Sequence, residues 1–390
     1  MITKYECTGC AACANVCAHD AIHMEITEGF FRPHVNAERC VHCGRCSSVC
    51  PQNGSVTEAR STHVYAGFAK ELDKRLAGSS GGMFGILSEY LITQKNAVVA
   101  SVAYDENMGT VFCLAETVAE LDKFKKSKYV QANPNDIYRK VLGLLKSKRV
   151  VLFAGMPCQV AAVKQVCRDF CNNLYCIDYI CHGAPSPEIW QRIVADTEQK
   201  HGSKLVHVDF RHKTGKNWDW NHFAIFFCFK NGTVEEINAD DYAYFRAFLA
   251  NYTLQNACFT CKYKADHTCA DITLGDFWEI ERTMPEFAQR SHSDRGVSAI
   301  AVNSAKGETL IEAVRNEIEL EPSDAEKLIS GNPCYSAATY LPNHKERYFR
   351  WLLRSKPGKM STNLSKLLKY VGIRHKLGSY FRRCIRYVRG

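Results

Sequence analysis

Eight cysteines within the first 50 residues constrain this chain more than any other feature. They form Cys7-x2-Cys10-x2-Cys13-x3-Cys17 and, 33 positions later, Cys40-x2-Cys43-x2-Cys46-x3-Cys50. This register is typical of two-cluster ferredoxins, in which the fourth cysteine of each set binds the other cluster. The spacing therefore predicts one 4Fe–4S cluster on Cys7, Cys10, Cys13 and Cys50 and a second on Cys40, Cys43, Cys46 and Cys17. Zinc is the alternative, but zinc sites usually separate their Cys-x2-Cys pairs by a dozen or more residues.

The segment between the two sets, Ile22 to Val35, alternates apolar and polar residues around Glu28-Gly29. Such alternation about a turn predicts a β-hairpin. Two clusters this close conduct electrons and carry out no bond chemistry themselves. We therefore expect residues 1–58 to be an electron-transfer module.

Composition supports metal binding in a globular chain. There are 20 cysteines in 390 residues, and hydrophobic residues make up 46% of the chain. The first residues contain no apolar segment typical of a secretory signal, and no apolar run approaches the roughly 20 residues that span a bilayer. We expect a cytoplasmic protein of two or three domains in which cysteines bind metal rather than form disulfides.

Positive charge is concentrated at the C-terminal end. Residues 341–390 hold 14 of the 50 Lys and Arg residues and one acid, Glu346, so the other 340 residues carry 36 bases and 40 acids. A nucleic-acid-binding body is disfavoured. In this tail apolar residues recur at helical spacing: Leu364, Leu367, Leu368, Val371, Leu377, Phe381, Ile385 and Val388. Such a basic amphipathic helix either lies on an anionic membrane surface or packs on the body with its basic side in solvent.

Residues 149–185 predict a strand, a helix and a second strand. Arg149 to Ala154 has a buried-strand pattern, a helical run follows Cys158 to about Asp169, and a second strand-like run ends before Cys181. The strands of such a βαβ unit are parallel, so both cysteines reach one sheet edge, where open α/β sheets bind ligands. Cys158 also begins a helix, which favours its thiolate.

Cys258 and Cys261 form a further Cys-x2-Cys pair, with Cys269 eight residues later. Two thiolates from the sheet edge and two from this loop would complete a third cluster, and unrelated buried thiols are the alternative. The other cysteines are expected in the core: Cys113, Cys167, Cys171, Cys176, Cys228, Cys334 and Cys384.

Several further segments are candidates for a binding site. The Gly-Ser-Ser-Gly-Gly loop at 78–82 precedes an apolar helical run, where backbone amides can hold an anion, although such loops are also flexible connections. Lys213 to His222, with Trp218 and Trp220, either lines a pocket or is an exposed aromatic loop. No Ser/His/Asp or Cys/His nucleophile arrangement stands out. Four residues are either active-site lining or core: Asp276, Trp278, Arg295 and Gly296.

Together these motifs resemble the coenzyme F420 hydrogenase/dehydrogenase β-subunit family. The resemblance covers about residues 1–340 and rests on the cysteine repeat and on residues 78–82, 127–131, 155–159, 181–187 and 271–278. It implies FAD beside an iron–sulfur cluster. The flavin-holding residues implied are Gly78, Ser79, Ser80, Gly81, Gly82, Lys128 and Tyr129. The third-cluster ligands implied are Cys158, Cys181, Cys258 and Cys261, with Cys269 as an extra thiol that competes with Cys181 for the fourth position.

We therefore expect an α+β and α/β protein. A bacterial-ferredoxin-like module (1–58) precedes a flavin-binding α/β body with a parallel βαβ unit (59–150 and 151–340) and a basic tail (341–390). The expected function is to pass electrons from reduced ferredoxin, or a similar donor, through 4Fe–4S clusters to FAD and on to an organic acceptor, as in family members of surface-polysaccharide gene clusters. Reverse flow is equally compatible. The alternatives are an electron-transfer subunit of a larger complex and a non-catalytic redox sensor. Homo-oligomerisation and peripheral membrane contact through the tail also fit.

Overall fold

The computed structural model describes residues 3, 5–54, 63–213, 223–264 and 267–372. Its strands are β1 (Ile22–Thr27), β2 (Phe30–Val35), β3 (His63–Ala69), β4 (Val98–Tyr104), β5 (Thr110–Ala115), β6 (Val151–Gly155), β7 (Leu174–Tyr179), β8 (Leu205–His212), β9 (Ala224–Phe229), β10 (Val234–Asn238), β11 (Ile272–Asp276), β12 (Ser298–Val302) and β13 (Ile318–Ser323). Its α-helices are α1 (Ala12–Asn15), α2 (Arg45–Ser48), α3 (Leu72–Ala77), α4 (Met83–Lys95), α5 (Ile137–Lys146), α6 (Pro157–Val166), α7 (Pro187–His201), α8 (Ala243–Leu249), α9 (Ile280–Thr283), α10 (Pro285–Ser291), α11 (Ala305–Ala313), α12 (Ala325–Gly331), α13 (Lys345–Leu353) and α14 (Met360–Tyr370).

The N-terminal module has the twofold repeat that its cysteines predict. Strands β1 and β2 form the predicted antiparallel hairpin, with Ile22 opposite Val35. The backbones of the two cysteine loops match: φ is positive at Gly9 and Ala11 and again, 33 positions later, at His42 and Gly44. The short helices α1 and α2 follow at the same offset. The duplication in sequence is therefore a duplication of backbone conformation.

A mixed eight-stranded sheet, in the order β13-β3-β12-β11-β7-β6-β4-β5, forms the centre of the body. The predicted βαβ unit is confirmed, since β6 and β7 are parallel neighbours with α6 between them in sequence. Helix α6 ends at Val166, and a 3-10 segment from Arg168 to Asn173 replaces its expected last turn. Strands from both sides of residue 150 share this one sheet.

Helices cover both faces of the sheet, which explains why β6 is buried along its whole length. Val151 and Phe153 pack with α5 and α6, whereas Leu152 and Ala154 face the cluster that contains α4. Alternate side chains of one strand thus enter two separate cores.

A smaller antiparallel sheet, β10-β9-β8, packs with α7 and α8 around a third core. Asn231 and Gly232 lie in the turn that joins β9 and β10, and Gly232 has φ +84°. Helix α14 contacts α7 and α8 and buries Leu364, Leu367 and Leu368 in this core. The described part of the tail therefore packs on the body, which is the second of the two alternatives that its pattern left open.

The remaining positions of that stripe, Leu377 to Val388, lie outside the described residues, as do Cys384 and the aromatic segment 214–222. Among the helices of the described ranges, none combines the length and the apolar character that crossing a bilayer requires.

Candidate redox site

Three cysteines of the first loop lie together with the last cysteine of the second. The thiols of Cys7, Cys10 and Cys13 interact electrostatically with one another and with Cys50. Burial raises the pKa of Cys10 and of Cys13 to about 12, and the neighbouring thiols add to the rise. Such thiols give up their protons when a metal binds, because the metal replaces the proton as counter-charge. These four are the set that the spacing assigns to one cluster.

The second cysteine loop faces solvent instead. Cys43 is exposed, and Val41 beside it is 57% exposed, whereas residues 9–12 of the first loop are buried. Helices α1 and α2 are in contact, and Cys17 follows the first while Cys46 lies in the second. This pairing is compatible with the second predicted set, Cys17, Cys40, Cys43 and Cys46, which stays a prediction.

A third group joins four cysteines from separate segments. Cys158 begins α6, Cys181 follows β7, and Cys258 and Cys261 stand in and after a 3-10 segment at Asn256–Thr260. Electrostatic interactions with the thiols of Cys181, Cys261 and Cys258 all raise the pKa of Cys158. The N–H of Ala184 donates to the Sγ of Cys258 over 3.3 Å. The sheet edge and the loop thus meet as the sequence predicts.

Burial dominates the ionisation of this third group. It raises the pKa of Cys181 to about 12 and that of Cys258 to about 11, and it raises the pKa of Cys158 well above its usual value. The start of α6 is expected to favour a Cys158 thiolate, whereas burial shifts the pKa of this thiol in the opposite direction. Loss of hydration outweighs the partial positive charge of the helix end.

Cys269 has different charged neighbours from the other four. Its charged neighbours are Lys164, Asp178 and Lys262, and it packs against the core around α5 and α6. Cys181, by contrast, interacts directly with Cys258 and Cys261. This arrangement favours Cys181 as the fourth member of the group.

The cysteine groups are not arranged as sites for one ion. Within the described ranges, no three or more His, Cys, Asp or Glu side chains are placed to hold a single metal ion. A four-iron cluster needs thiolates around the corners of a cube rather than around one point.

The first and third groups are neighbours. Cys10 is among the thiols that raise the pKa of Cys158. Tyr138 interacts with both of these cysteines, and so does Tyr263, whose hydroxyl donates to the carbonyl of Pro51 over 2.9 Å. Two buried tyrosines therefore contact the space between the groups.

A cavity of about 350 Å³ lies between the third group and the Gly/Ser loop, within the usual size range of small-molecule sites. Its wall includes Cys158 and Cys181, Thr8 and Gly9 of the N-terminal module, and six of the seven residues expected to hold a flavin: Gly78, Ser79, Ser80, Gly82, Lys128 and Tyr129. Gly81 does not line the cavity. Its N–H donates to the Oγ of Ser298 over 2.9 Å, and a Cβ there would stand 2.4 Å from the carbonyl oxygen of Gly67.

Glycine is required where this loop enters α4. Gly82 has φ +85°, and a Cβ there would lie 2.6 Å from the carbonyl oxygen of Lys74. The Oγ of Ser79 accepts a hydrogen bond from the backbone N–H of Ser127 over 2.7 Å. The loop is therefore joined to the 127–131 segment, and both line one cavity.

Lys128 lines the cavity and also bonds to its own loop. Its ammonium donates to the carbonyls of Phe124, Lys125 and Lys126, and burial lowers its pKa to about 8. The side chain thus holds its own loop together. The ring of Tyr129 packs edge-on against Phe245, with centroids 5.0 Å apart.

A buried arginine closes the cavity from the smaller sheet. Arg211, on β8, is 1% exposed and pairs with Asp276 at the end of β11, with 2.9 Å between Nη1 and Oδ2. Its guanidinium lies 4.3 Å from the ring centroid of Phe223 and 5.0 Å from that of Trp278. Asp276 and Trp278 also line the cavity. The sequence shows β8 only as a strand, without a signal that singles out Arg211.

Gly296 lies behind the loop, where its carbonyl accepts from the Nε of Arg75 over 2.7 Å. The carbonyl of Arg295 accepts a hydrogen bond from the Nζ of Lys213 over 3.2 Å.

Cys334 is not a core residue, contrary to expectation, and it lines the cavity with His182. Its Sγ lies 3.5 Å from the Nδ1 of His182, whose Nε2 lies 2.7 Å from the Oδ1 of Asn251. The pKa of Cys334 is lowered, with the imidazole opposing the effect of burial. A Cys/His arrangement thus exists that the sequence did not reveal, because its members are 69 and 152 positions apart. Cys113 and Cys228, also expected in the core, are half-buried, whereas Cys167 and Cys176 are buried as expected.

Two family models match the chain. Residues 148–327 match the model described as the C terminus of the coenzyme F420 hydrogenase/dehydrogenase beta subunit. Residues 6–53 match the model of a 4Fe-4S dicluster domain. The resemblance seen in the sequence is confirmed over these residues.

A polyferredoxin-like protein of Methanocaldococcus jannaschii, itself uncharacterized, is 36% identical over 66 residues, which are 15% of this chain and 39% of that protein. The chain thus spans well under half the length of this relative. A chain from the F420-reducing NiFe hydrogenase complex of Methanosarcina barkeri has a similar structure, with a TM-score of 0.46, 17% identity, and coverage of 68% of this chain and 83% of that chain.

Proposed function

We propose that this iron–sulfur electron-transfer protein, which joins a 4Fe–4S dicluster domain to the C-terminal domain of coenzyme F420 hydrogenase/dehydrogenase beta subunits, passes electrons from a protein donor to FAD. The FAD lies in the cavity beside Cys158 and Cys181 and passes electrons on to an organic acceptor. One observation carries the proposal: the wall of a single cavity contains Cys158 and Cys181, two of the four third-group cysteines, together with the Gly/Ser loop.

The exposure of the three cysteine groups supports an order of transfer. The second loop is exposed, the first is buried against the body, and Cys10 of the first neighbours Cys158 of the third. An electron that enters at Cys43 would thus pass inward group by group. Arg39 and Arg45 flank the exposed loop and are themselves exposed, which suits a donor such as ferredoxin if its surface is acidic.

The residues of the cavity fit FAD. Aromatic side chains of Tyr129, Phe245 and Trp278 offer apolar faces to a planar ring. At the other end, Ser79 and the amides at the start of α4 suit a pyrophosphate. When bound, FAD couples one-electron carriers to two-electron chemistry. The protein's own part is to hold the ring against the third cysteine group and to exclude water.

A second candidate function is that of an electron-transfer subunit whose acceptor site belongs to a partner. The family model that describes a beta subunit favours it. A complex that co-purifies, with no turnover of acceptors by the isolated chain, would distinguish it from the first. A role in surface-polysaccharide synthesis is a narrower form of the main proposal. A purely redox-sensing protein would lack flavin.

The proposal is tested by cofactor analysis of anaerobically purified protein. We expect about 12 iron, about 12 sulfide and one FAD per chain, as three 4Fe–4S clusters require. About eight iron atoms would contradict the third cluster, and absence of FAD would contradict the proposed acceptor site.

Matched variants test the ligand set. Cys181→Ala should lose about four iron atoms, because it removes one thiolate of the third group. Cys269→Ala is the control and should keep all the iron, because its thiol lies outside that group. The opposite result would exchange the roles of the two cysteines.

A further inference from the structure

A buried lysine lies against the third cysteine group. Lys264 is 9% exposed, and its Nζ donates to the carbonyl of Cys181 over 2.7 Å and to that of Cys334 over 2.9 Å. The ammonium interacts electrostatically with the thiols of Cys181, Cys258, Cys261 and Cys334. Burying an ammonium is unfavourable unless hydrogen bonds and negative charge stabilise it. Here two carbonyls supply the hydrogen bonds, and the thiolate group would supply the charge.

Two further cations approach the same group at Cys258, of which the first is half-buried and the second buried. Arg32 interacts with both Cys7 and Cys258, and its Nη1 donates to the Oε1 of Gln255 over 3.1 Å. Lys345 is 2% exposed and donates to the Oδ1 of Asn256 over 2.9 Å. Positive charge is therefore concentrated around the group next to the cavity.

A cluster held by four thiolates gains one negative charge when it accepts an electron. A fixed cation within a few ångströms stabilises that reduced state more than the oxidised one, and low-dielectric surroundings strengthen the effect. The electron comes from the neighbouring cluster, and no bond or proton moves in this step.

We propose that Lys264 raises the reduction potential of the third cluster. Electrons that arrive from the N-terminal module then remain on this cluster, next to the cavity. The inference rests on the proposed function, since it requires a cluster on Cys158, Cys181, Cys258 and Cys261. Lys264 acts through the cluster and is not a catalytic residue. It touches no acceptor, and its charge acts on the equilibrium between oxidised and reduced cluster.

The test compares cluster reduction potentials in anaerobic full-length protein, followed by electron paramagnetic resonance during a redox titration. Lys264→Gln should shift the reduction equilibrium of one cluster about tenfold toward the oxidised form, a fall of about 59 mV for one electron. Lys264→Arg should keep the wild-type potential, because it keeps the charge.

Lys306→Gln is the matched control. Lys306 also donates to two carbonyls, of Cys171 over 3.0 Å and of Leu174 over 2.6 Å, but at the opposite end of β7 from Cys181. The Lys306→Gln variant should leave the reduction potentials of all clusters unchanged. Unchanged potentials in Lys264→Gln with full iron content would overturn the inference and leave the proposed function intact.

Iron content separates the other outcomes. If Lys264→Gln loses about four iron atoms, Lys264→Arg becomes the deciding variant. It should keep both the iron and the wild-type reduction potential, and loss of either would overturn the inference. About eight iron atoms in the wild type would instead contradict the proposed function itself.

Discussion

Arg139 is the clearest place to test how the N-terminal module is held on the body. From helix α5 its guanidinium reaches the end of α1, where Nε donates to the carbonyl of Asn15 over 2.7 Å. Its Nη2 donates to the carbonyls of Ala14 over 2.9 Å and of Cys17 over 2.8 Å. We predict that Arg139→Met loosens this end of the module, because methionine fills space but donates no hydrogen bond.

The magnitude follows from three hydrogen bonds between a charged donor and backbone carbonyls. The side chain is 41% exposed, so solvent weakens each bond, and water can replace the donor in the variant. We take each bond near the low end of the usual range, which gives about 2 kcal/mol in all. The exposed ion pair with Asp20 is left out of this figure. A change of 2 kcal/mol corresponds to roughly a 30-fold change in an equilibrium constant.

Hydrogen exchange followed by mass spectrometry measures this opening directly in the iron-loaded protein. Amides of residues 12–21 should exchange roughly 30-fold faster in Arg139→Met, while the central sheet is unaffected. Lys140→Met is the control, because the ion pair of Lys140 with Asp136 is exposed and its loss should change little. Equal exchange in the two variants would refute the reasoning.

Three further changes test other parts of the structure. Leu364→Ala should lower the free energy of unfolding by about 2–5 kcal/mol in urea, because Leu364 is fully buried; an unchanged midpoint would contradict the packed tail. Burial raises the pKa of Asp178 from 3.8 to about 6. The folded state therefore disfavours the ionised form, and stability should fall by about 2 kcal/mol as pH rises from 4 to 7. Asp178→Asn should remove this part of the pH dependence, and an unaltered slope would contradict it. Gly82→Ala should bind flavin roughly 5- to 150-fold more weakly, because strain in the loop costs about 1–3 kcal/mol, whereas Gly143→Ala, with open space at its Cβ position, should bind flavin as the wild type does.

The cysteine registers and the local elements could be predicted from the sequence because their information is local. Binding of a 4Fe–4S cluster requires the cysteine spacing that begins at Cys7 and at Cys40. The alternation of apolar and polar residues about Glu28-Gly29 predicts a hairpin. The βαβ unit followed from a buried strand, a helical run and a second strand in close succession. Each of these patterns is complete within a short segment.

The rest of the site depends on contacts between distant segments. Cys334 meets His182 only because the chain after α12 returns to the sheet edge, and nothing near either residue indicates this. Arg211 reaches the cavity because a second sheet packs over the first. The stripe at Leu364 illustrates a different limit. An amphipathic helix has the same pattern whether its apolar face packs on protein or on lipid.

Burial also reversed one local inference. The start of a helix stabilises a thiolate, which is why Cys158 was expected to ionise easily. Its raised pKa comes from surroundings that the local sequence does not encode.

The most direct test of the account is the rate at which ferredoxin reduces the flavin of anaerobic full-length protein, measured by stopped-flow absorbance. Cys43→Ser changes the most exposed cysteine of the second loop and should slow this rate at least about tenfold, because electrons must enter there. Reduction of the same flavin by dithionite, which can reach it without the module, should keep its wild-type rate. If Cys43→Ser accepts electrons from ferredoxin at the unmodified rate, the second loop is not the entry point and the order of transfer is wrong.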